Sequence, residues 1–154
     1  MPAITPFLWF DDEAEETARF YTSVFPNSQI LEVFGSGGDG PPTTVRFSLD
    51  GTEFVALNGG PAHRGFNLAV SFVVDCAGPD EVDRYWSALT DGGEEGRCGW
   101  LTDRFGLSWQ IVPAGLPDVL GDPDPERAAR AMEAILAMGK LDLPAIARAA
   151  DGAA

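Results

Sequence analysis

The feature that most constrains this chain is that it states one plan twice. Arg19-Phe20-Tyr21-Thr22 lies in a stretch of helical spacing, and Arg84-Tyr85-Trp86-Ser87 lies in another of the same kind. In the first copy, residues 3–10 alternate as a strand, with Ile4, Leu8 and Phe10 on one face and Thr5, Phe7 and Trp9 on the other. Asp12 with Glu15 reads as a capping box opening a helix. Ala14, Thr17, Ala18, Tyr21, Val24 and Phe25 form its apolar stripe, and Pro26-Asn27 ends it. Strands are predicted at 29–34, 43–49 and 53–58, the last two joined by the hairpin turn Asp50-Gly51. The second copy runs from a strand at Leu68–Asp75 to a helix with Pro79 in its first turn and Val82, Tyr85, Trp86 and Leu89 on its buried side. Gly92-Gly93 ends this helix, and two or three short strands follow over 94–112. One such unit cannot bury its own sheet face, so two in tandem imply a duplicated module.

The segment Cys98–Pro113, CGWLTDRFGLSWQIVP, closes the second copy as a hairpin. Gly106 suits the left-handed position that such a loop needs. In its second strand Gln110 points away from the face of Trp109 and Ile111. An uncharged polar side chain there looks into solvent or into a cavity.

A chain of 154 residues, 45% hydrophobic, with four Trp and ten Phe, has enough material for one well-packed domain or two small fused modules. The formal net charge of −14 and the absence of clustered Lys and Arg argue against nucleic acid and against anionic membrane surfaces. The opening MPAITPFLWFDDEAEE has no basic segment before its short apolar run, so it reads as neither a signal peptide nor a membrane span. Cys76 and Cys98 do not make a disulfide framework, which points to reduced thiols and a cytoplasmic location. Basic residues that are nearly all Arg, with abundant Ala and Gly, point to a bacterial source. After Pro113 the composition changes. Asp122-Pro123-Asp124-Pro125 is a rigid connector, with Asp124 capping a helix that presents Ala128, Ala131, Ile135 and Met138. A second helix is predicted over about 143–150. Neither carries an evident catalytic residue, so both read as a packing or dimerisation appendage.

The tandem plan, with ALNGGP at 56–61, FNLAVSFVVDC at 66–76, EVDRYW at 81–86 and the hairpin at 98–113, resembles a known family. It is similar to the PhnB-like branch of the vicinal oxygen chelate superfamily, which holds glyoxalase, bleomycin-resistance and dioxygenase proteins. Members of this branch often carry the label 3-demethylubiquinone-9 3-methyltransferase domain. The tail MEAILAMGKLDLPAIARAADG resembles the helical tail of the same branch. The resemblance implies an α+β fold of two tandem βαβββ modules whose curled mixed sheets surround a cavity, with C-terminal helices and commonly a homodimer. Residues 1–114 would form the domain, with modules at 1–62 and 63–114, and 115–154 the tail. Metal-dependent relatives place four ligands on inward-facing strands, and here those positions fall near Thr5, Phe54, Asn67 and Gln110. None is a strong ligand, and strand alternation is expected to turn Glu53 to the opposite face, so no metal site is expected.

Gly35–Gly40 formally matches G-x-G-x-x-G, but Pro41-Pro42 and a strand follow in place of the helix that a phosphate- or S-adenosylmethionine-binding loop must open. A connection between strands is the reading. His63, the sole histidine, sits in a loop with no second histidine to complete a site. Cys76 and Cys98 are read as small apolar residues, though Cys98 stands beside the hairpin and is a candidate reactive thiol. Trp9 and Phe54 are assigned to the cavity face with Asn58, Asn67, Ser71, Ser108 and Gln110, and Cys98 and Trp100 are added as lining candidates. Arg46 is expected in solvent. An amide and hydroxyl set orients a small polar organic molecule by hydrogen bonds and does not suit proton abstraction at neutral pH. The expectation is a cytoplasmic, homodimeric protein that binds a small organic ligand with no cofactor. The alternative is a divalent-metal lyase, isomerase or dioxygenase recruiting Glu53, His63 or Gln110, and a methyltransferase ranks third.

Overall fold

Alternation in the first strand, β1 (Phe7–Phe10), buries Leu8 and Phe10 and leaves Phe7 and Trp9 exposed. The strand is shorter than the predicted 3–10. Pro6 has no N–H to give a ladder, and its carbonyl accepts from the Val55 N–H where pairing begins. The computed structural model of the chain describes residues 2–35 and 40–153, which fall into two units, 1–65 and 66–154.

In the first unit, helix α1 (Ala14–Val24) buries Ala14, Thr17, Ala18 and Tyr21. The predicted Asp12–Glu15 capping box does not form. The cap residue is Glu13, which makes no side-chain cap bond, and Asn58 Oδ1 instead accepts from the Ala14 N–H at 2.8 Å. The strands β2 (Gln29–Phe34), β3 (Thr44–Leu49) and β4 (Thr52–Asn58) complete a mixed sheet ordered β1-β4-β3-β2, with β1 parallel to β4. Asp50 and Gly51 take φ of 45° and 80°, the paired left-handed conformation of a two-residue hairpin turn. Phe47 and Phe54 stack at 5.4 Å beside Tyr21 and form the core against α1. Of the glycine-rich run, residues 36–39 lie outside the described residues; the elements on either side, β2 and β3, are antiparallel strands.

The second unit repeats the plan with β5 (Ser71–Cys76), α2 (Pro79–Thr90), β6 (Glu94–Glu95), β7 (Trp100–Thr102) and β8 (Ser108–Pro113). Its sheet is ordered β5-β8-β7-β6, with β5 parallel to β8. Neither sheet closes into a barrel. β5 starts at Ser71, three residues later than predicted, because Asn67 Oδ1 accepts from the Ala69 N–H and holds that stretch in a turn. Val82, Tyr85, Trp86 and Leu89 bury against the sheet as their spacing predicts. The buried Asp103 carboxylate organises the hairpin, accepting from the Phe105 and Leu107 N–H groups and from Trp109 Nε1.

Beyond β8 the described residues form three helices where two were predicted: α3 (Leu116–Leu120), α4 (Pro125–Ala137) and α5 (Leu143–Ala150). Asp124 caps α4 as expected, and Asp142 caps α5 by accepting from the Ala145 N–H. Ala131, Ile135, Leu141 and Ile146 form their shared core. No helix among the described residues is long and apolar enough to cross a membrane.

Candidate functional site

Each sheet has one face packed on its own helix, and the residues named from the sequence divide between that face and the opposite one. In β8, Trp109 and Ile111 are buried on the α2 side, so Ser108, Gln110 and Val112 face away from it. Gln110 lies across the ladder from Val73 and Trp100. Its Nε2 donates to Ser71 Oγ at 2.9 Å, leaving the amide oxygen on the same face as an acceptor. Ser108 sits between Ser71 and Thr102 in the ladder, is 1% exposed, and its hydroxyl has no hydrogen-bond partner. An unsatisfied buried hydroxyl costs about 1–3 kcal/mol, so this is a place where a polar group is owed a partner. Ser71, Trp100, Ser108 and Gln110 thus share one face.

The first sheet departs from expectation. β4 pairs with β1 so that Phe54, Ala56 and Asn58 lie on the α1 side, with Leu8 and Phe10. Phe54 is a core residue stacked on Phe47, and Asn58 spans the α1 N-terminus and the Pro42 carbonyl, to which its Nδ2 donates at 2.8 Å. Neither shares a face with Trp9, contrary to the sequence reading. The face away from α1 carries Glu53 instead. Arg46, expected in solvent, bridges Glu32 and Glu53 at 3.0 Å each, and these two acceptors hold its guanidinium firmly charged. Trp9 Nε1 donates to the Gly60 carbonyl at 2.9 Å, and its ring meets His63 edge-on at 5.7 Å. The signal for the Glu32–Arg46–Glu53 cluster was present: a two-residue turn at Asp50-Gly51 sets Ser48 opposite Glu53 and fixes every pairing above it.

Two further candidates sit elsewhere. Asn67 is exposed in its own turn. Cys98 is half-buried against the core of the tail helices, with its N–H donating to the Met138 carbonyl, and so faces the tail. Cys76 is fully buried, and burial, with Glu81 and Asp75 nearby, pushes its thiol up to about 11. It is inert at neutral pH.

The donor set does not fit a divalent ion. Among the described residues no group of three or more His, Cys, Asp or Glu side chains is placed to hold one. The carboxylates of Glu32 and Glu53 are committed to Arg46, whose guanidinium supplies the positive charge there. His63 Nδ1 accepts from the Gly65 N–H, and Gln110 and Ser71 are neutral and bonded to each other.

The family model for 3-demethylubiquinone-9 3-methyltransferase matches residues 2–112. The chain belongs to this family. It is thereby a member of the PhnB-like branch of the vicinal oxygen chelate superfamily. A solved structure titled as a putative 3-demethylubiquinone-9 3-methyltransferase, the PhnB protein of Bacillus cereus, is 32% identical, with 73% of this chain covering 100% of that one at a TM-score of 0.67. Protein PA1353 from Pseudomonas aeruginosa is 21% identical over 73% of this chain and 98% of its own, at a TM-score of 0.60. The fosfomycin resistance protein FosX of Listeria monocytogenes, solved with Mn(II) and sulfate, shares the fold at 14% identity and a TM-score of 0.54, over 77% of this chain and 94% of that one. The comparison with curated proteins gives no match. The PhnB-like family match ends at residue 112, ahead of the helical tail.

Proposed function

We propose that this PhnB-like protein binds a small polar organic molecule, without a metal ion, on the face of its second sheet turned away from α2, at the end away from Val112, which packs on the tail helices. The observation that carries the reading is the Gln110–Ser71 pair beside Trp100, with the buried, unpartnered Ser108 hydroxyl in the same sheet face. An aromatic wall with a few fixed neutral polar groups recognises shape and hydrogen-bonding pattern. The Gln110–Ser71 pair is neither an acid nor a base near neutral pH and serves binding or positioning, while Glu94, in register with Thr102 and through it with Ser108, is the carboxylate that shares this face. Trp9, held by Gly60 and His63, is the corresponding aromatic candidate of the first sheet.

The protein is further proposed to be a cytoplasmic homodimer. Edge strand β2 exposes Leu31, Val33 and Phe34 on either side of Glu32, whose charge is paired with Arg46, and this largely apolar edge suits a second copy of the chain. Sedimentation at micromolar concentration reads the dimer directly.

Metal analysis of protein purified without a histidine tag tests the main proposal. Substoichiometric metal is the expected result, whereas one zinc, nickel, manganese or iron per chain overturns it in favour of a metal enzyme. Titration with S-adenosylmethionine in a calorimeter tests the family label as an activity, and saturable binding favours a methyltransferase.

A further inference from the structure

A cavity lies at the carboxyl end of the parallel strand pair of the second unit. β5 and β8 are adjacent and parallel, and at their carboxyl ends the chain leaves through Cys76-Ala77-Gly78 and Pro113-Ala114-Gly115. In open sheets with parallel strands, ligands collect outside those carboxyl ends, beside the helix that follows. Here α2 begins at once with Pro79, and the Lys140–Pro144 segment and α5 stand across the opening. Between them is a cavity of about 650 Å³, within the range of small-molecule sites. Its walls are chiefly apolar, with Val82, Pro113, Leu141 and Leu143 among them.

Four charged side chains line it, and three are committed. The Lys140 ammonium pairs with Asp83, and Asp142 accepts from the Ala145 N–H as the cap of α5. The Arg148 side chain, unlike its carbonyl, which accepts from the Ala153 N–H, makes no hydrogen bond or ion pair among the described residues, in a chain whose formal net charge is −14. In so acidic a protein a guanidinium left without a carboxylate at the mouth of an apolar cavity is a ready anion partner. With Asp83 neutralised by Lys140, the Asp142 carboxylate repels a dianion more than a monoanion, which favours a carboxylate over a phosphate monoester.

We propose that this cavity binds a small amphipathic carboxylate, its apolar body against Val82, Leu141 and Leu143 and its carboxylate on Arg148. The site is separate from the Gln110–Ser71 pair on the face of the same sheet turned away from α2. It depends on α5, which lies beyond the family match at residue 112, so the tail supplies a binding function in addition to packing. The Cys76 thiol in the lining is bonded to the Val74 carbonyl and stays protonated, so the cavity binds without covalent chemistry.

The test is calorimetric titration of the full chain with octanoate, and with octylammonium as the charge-reversed probe. Octanoate is expected to bind and octylammonium not. Arg148→Glu is expected to weaken octanoate by about tenfold or more, the loss of one charge-assisted contact, while Arg64→Glu on an exposed loop leaves it unchanged. Ala147→Phe, which fills the cavity, is expected to abolish binding, with circular dichroism confirming the fold. Because Arg148 is exposed, its variant decides the matter even where Ala147→Phe fails to fold. Equal binding of the two probes, no effect of Arg148→Glu, or no heat at about millimolar octanoate each overturns the proposal.

Discussion

Replacing Asn58 by alanine should destabilise the first unit, because this side chain is a clamp between α1 and the β2–β3 connection. It accepts from the Ala14 N–H, one of the donors a helix start leaves unpaired, and donates to the Pro42 carbonyl. Losing a helix cap costs about 1 kcal/mol, and leaving the Pro42 carbonyl without its amide costs about 1 more. The sum of about 2 kcal/mol corresponds to a Tm lower by about 4–8 °C in a chain of this length. Asn67→Ala is the control. It removes one exposed turn bond and should cost about 0.5 kcal/mol or less. Urea unfolding of both variants gives the energies, and hydrogen exchange at Ala14 reports the cap itself, with faster exchange expected in Asn58→Ala alone. Equal stability of the two variants, with Ala14 protection unchanged, would refute the clamp and return Asn58 to the ligand face.

Other outcomes follow from the same geometry. A Cβ at Gly59 would stand 2.3 Å from Trp9 Cε2, so Gly59→Ala should displace the indole from Gly60 and shift tryptophan emission, and an unchanged spectrum counts against the packing. Truncating the stacked core ring in Phe54→Ala should cost about 3–5 kcal/mol in urea unfolding, where a cavity-lining ring would cost far less. The Cys76 thiol, pushed up to about 11 by burial, should resist iodoacetamide at pH 8 in the folded protein and react once urea is added. Arg127 and the Asp124 N–H hold the Asp122 carboxyl below its usual range, so this contact stabilises the tail above that range and is lost as pH falls through the depressed value. Acid titration of helicity should show Asp122→Asn less sensitive than the parent over that window.

Long-period features were legible in the sequence, and the phase of one strand was not. The helix stripe of Val82, Tyr85, Trp86 and Leu89 is read directly from spacing, and β2 matches its predicted bounds. The Gln110 assignment also follows from alternation, because Trp109 and Ile111 contrast sharply with it. β4 offers no such contrast. Phe54 and Ala56 on one face oppose Val55 and Leu57 on the other, so only pairing with Leu8 and Phe47 shows which side is core. Cys98 was misplaced because its surroundings come from Met138 and the tail, some forty positions later, which no local pattern encodes. The start of β5 was drawn too early because an apolar run, Leu68 to Val70, conceals the Asn67 turn.

A thermal-shift screen of small polar organic molecules in EDTA reads metal-independent recognition at the Gln110–Ser71 face of the second sheet. A ligand at about 100 times its Kd contributes about 2.7 kcal/mol and should raise Tm by roughly 5–10 °C. Such a ligand is expected in the presence of EDTA, with the shift lost in Gln110→Leu. A shift that appears only when a divalent ion is restored, or that survives Gln110→Leu unchanged, contradicts metal-independent recognition at this face.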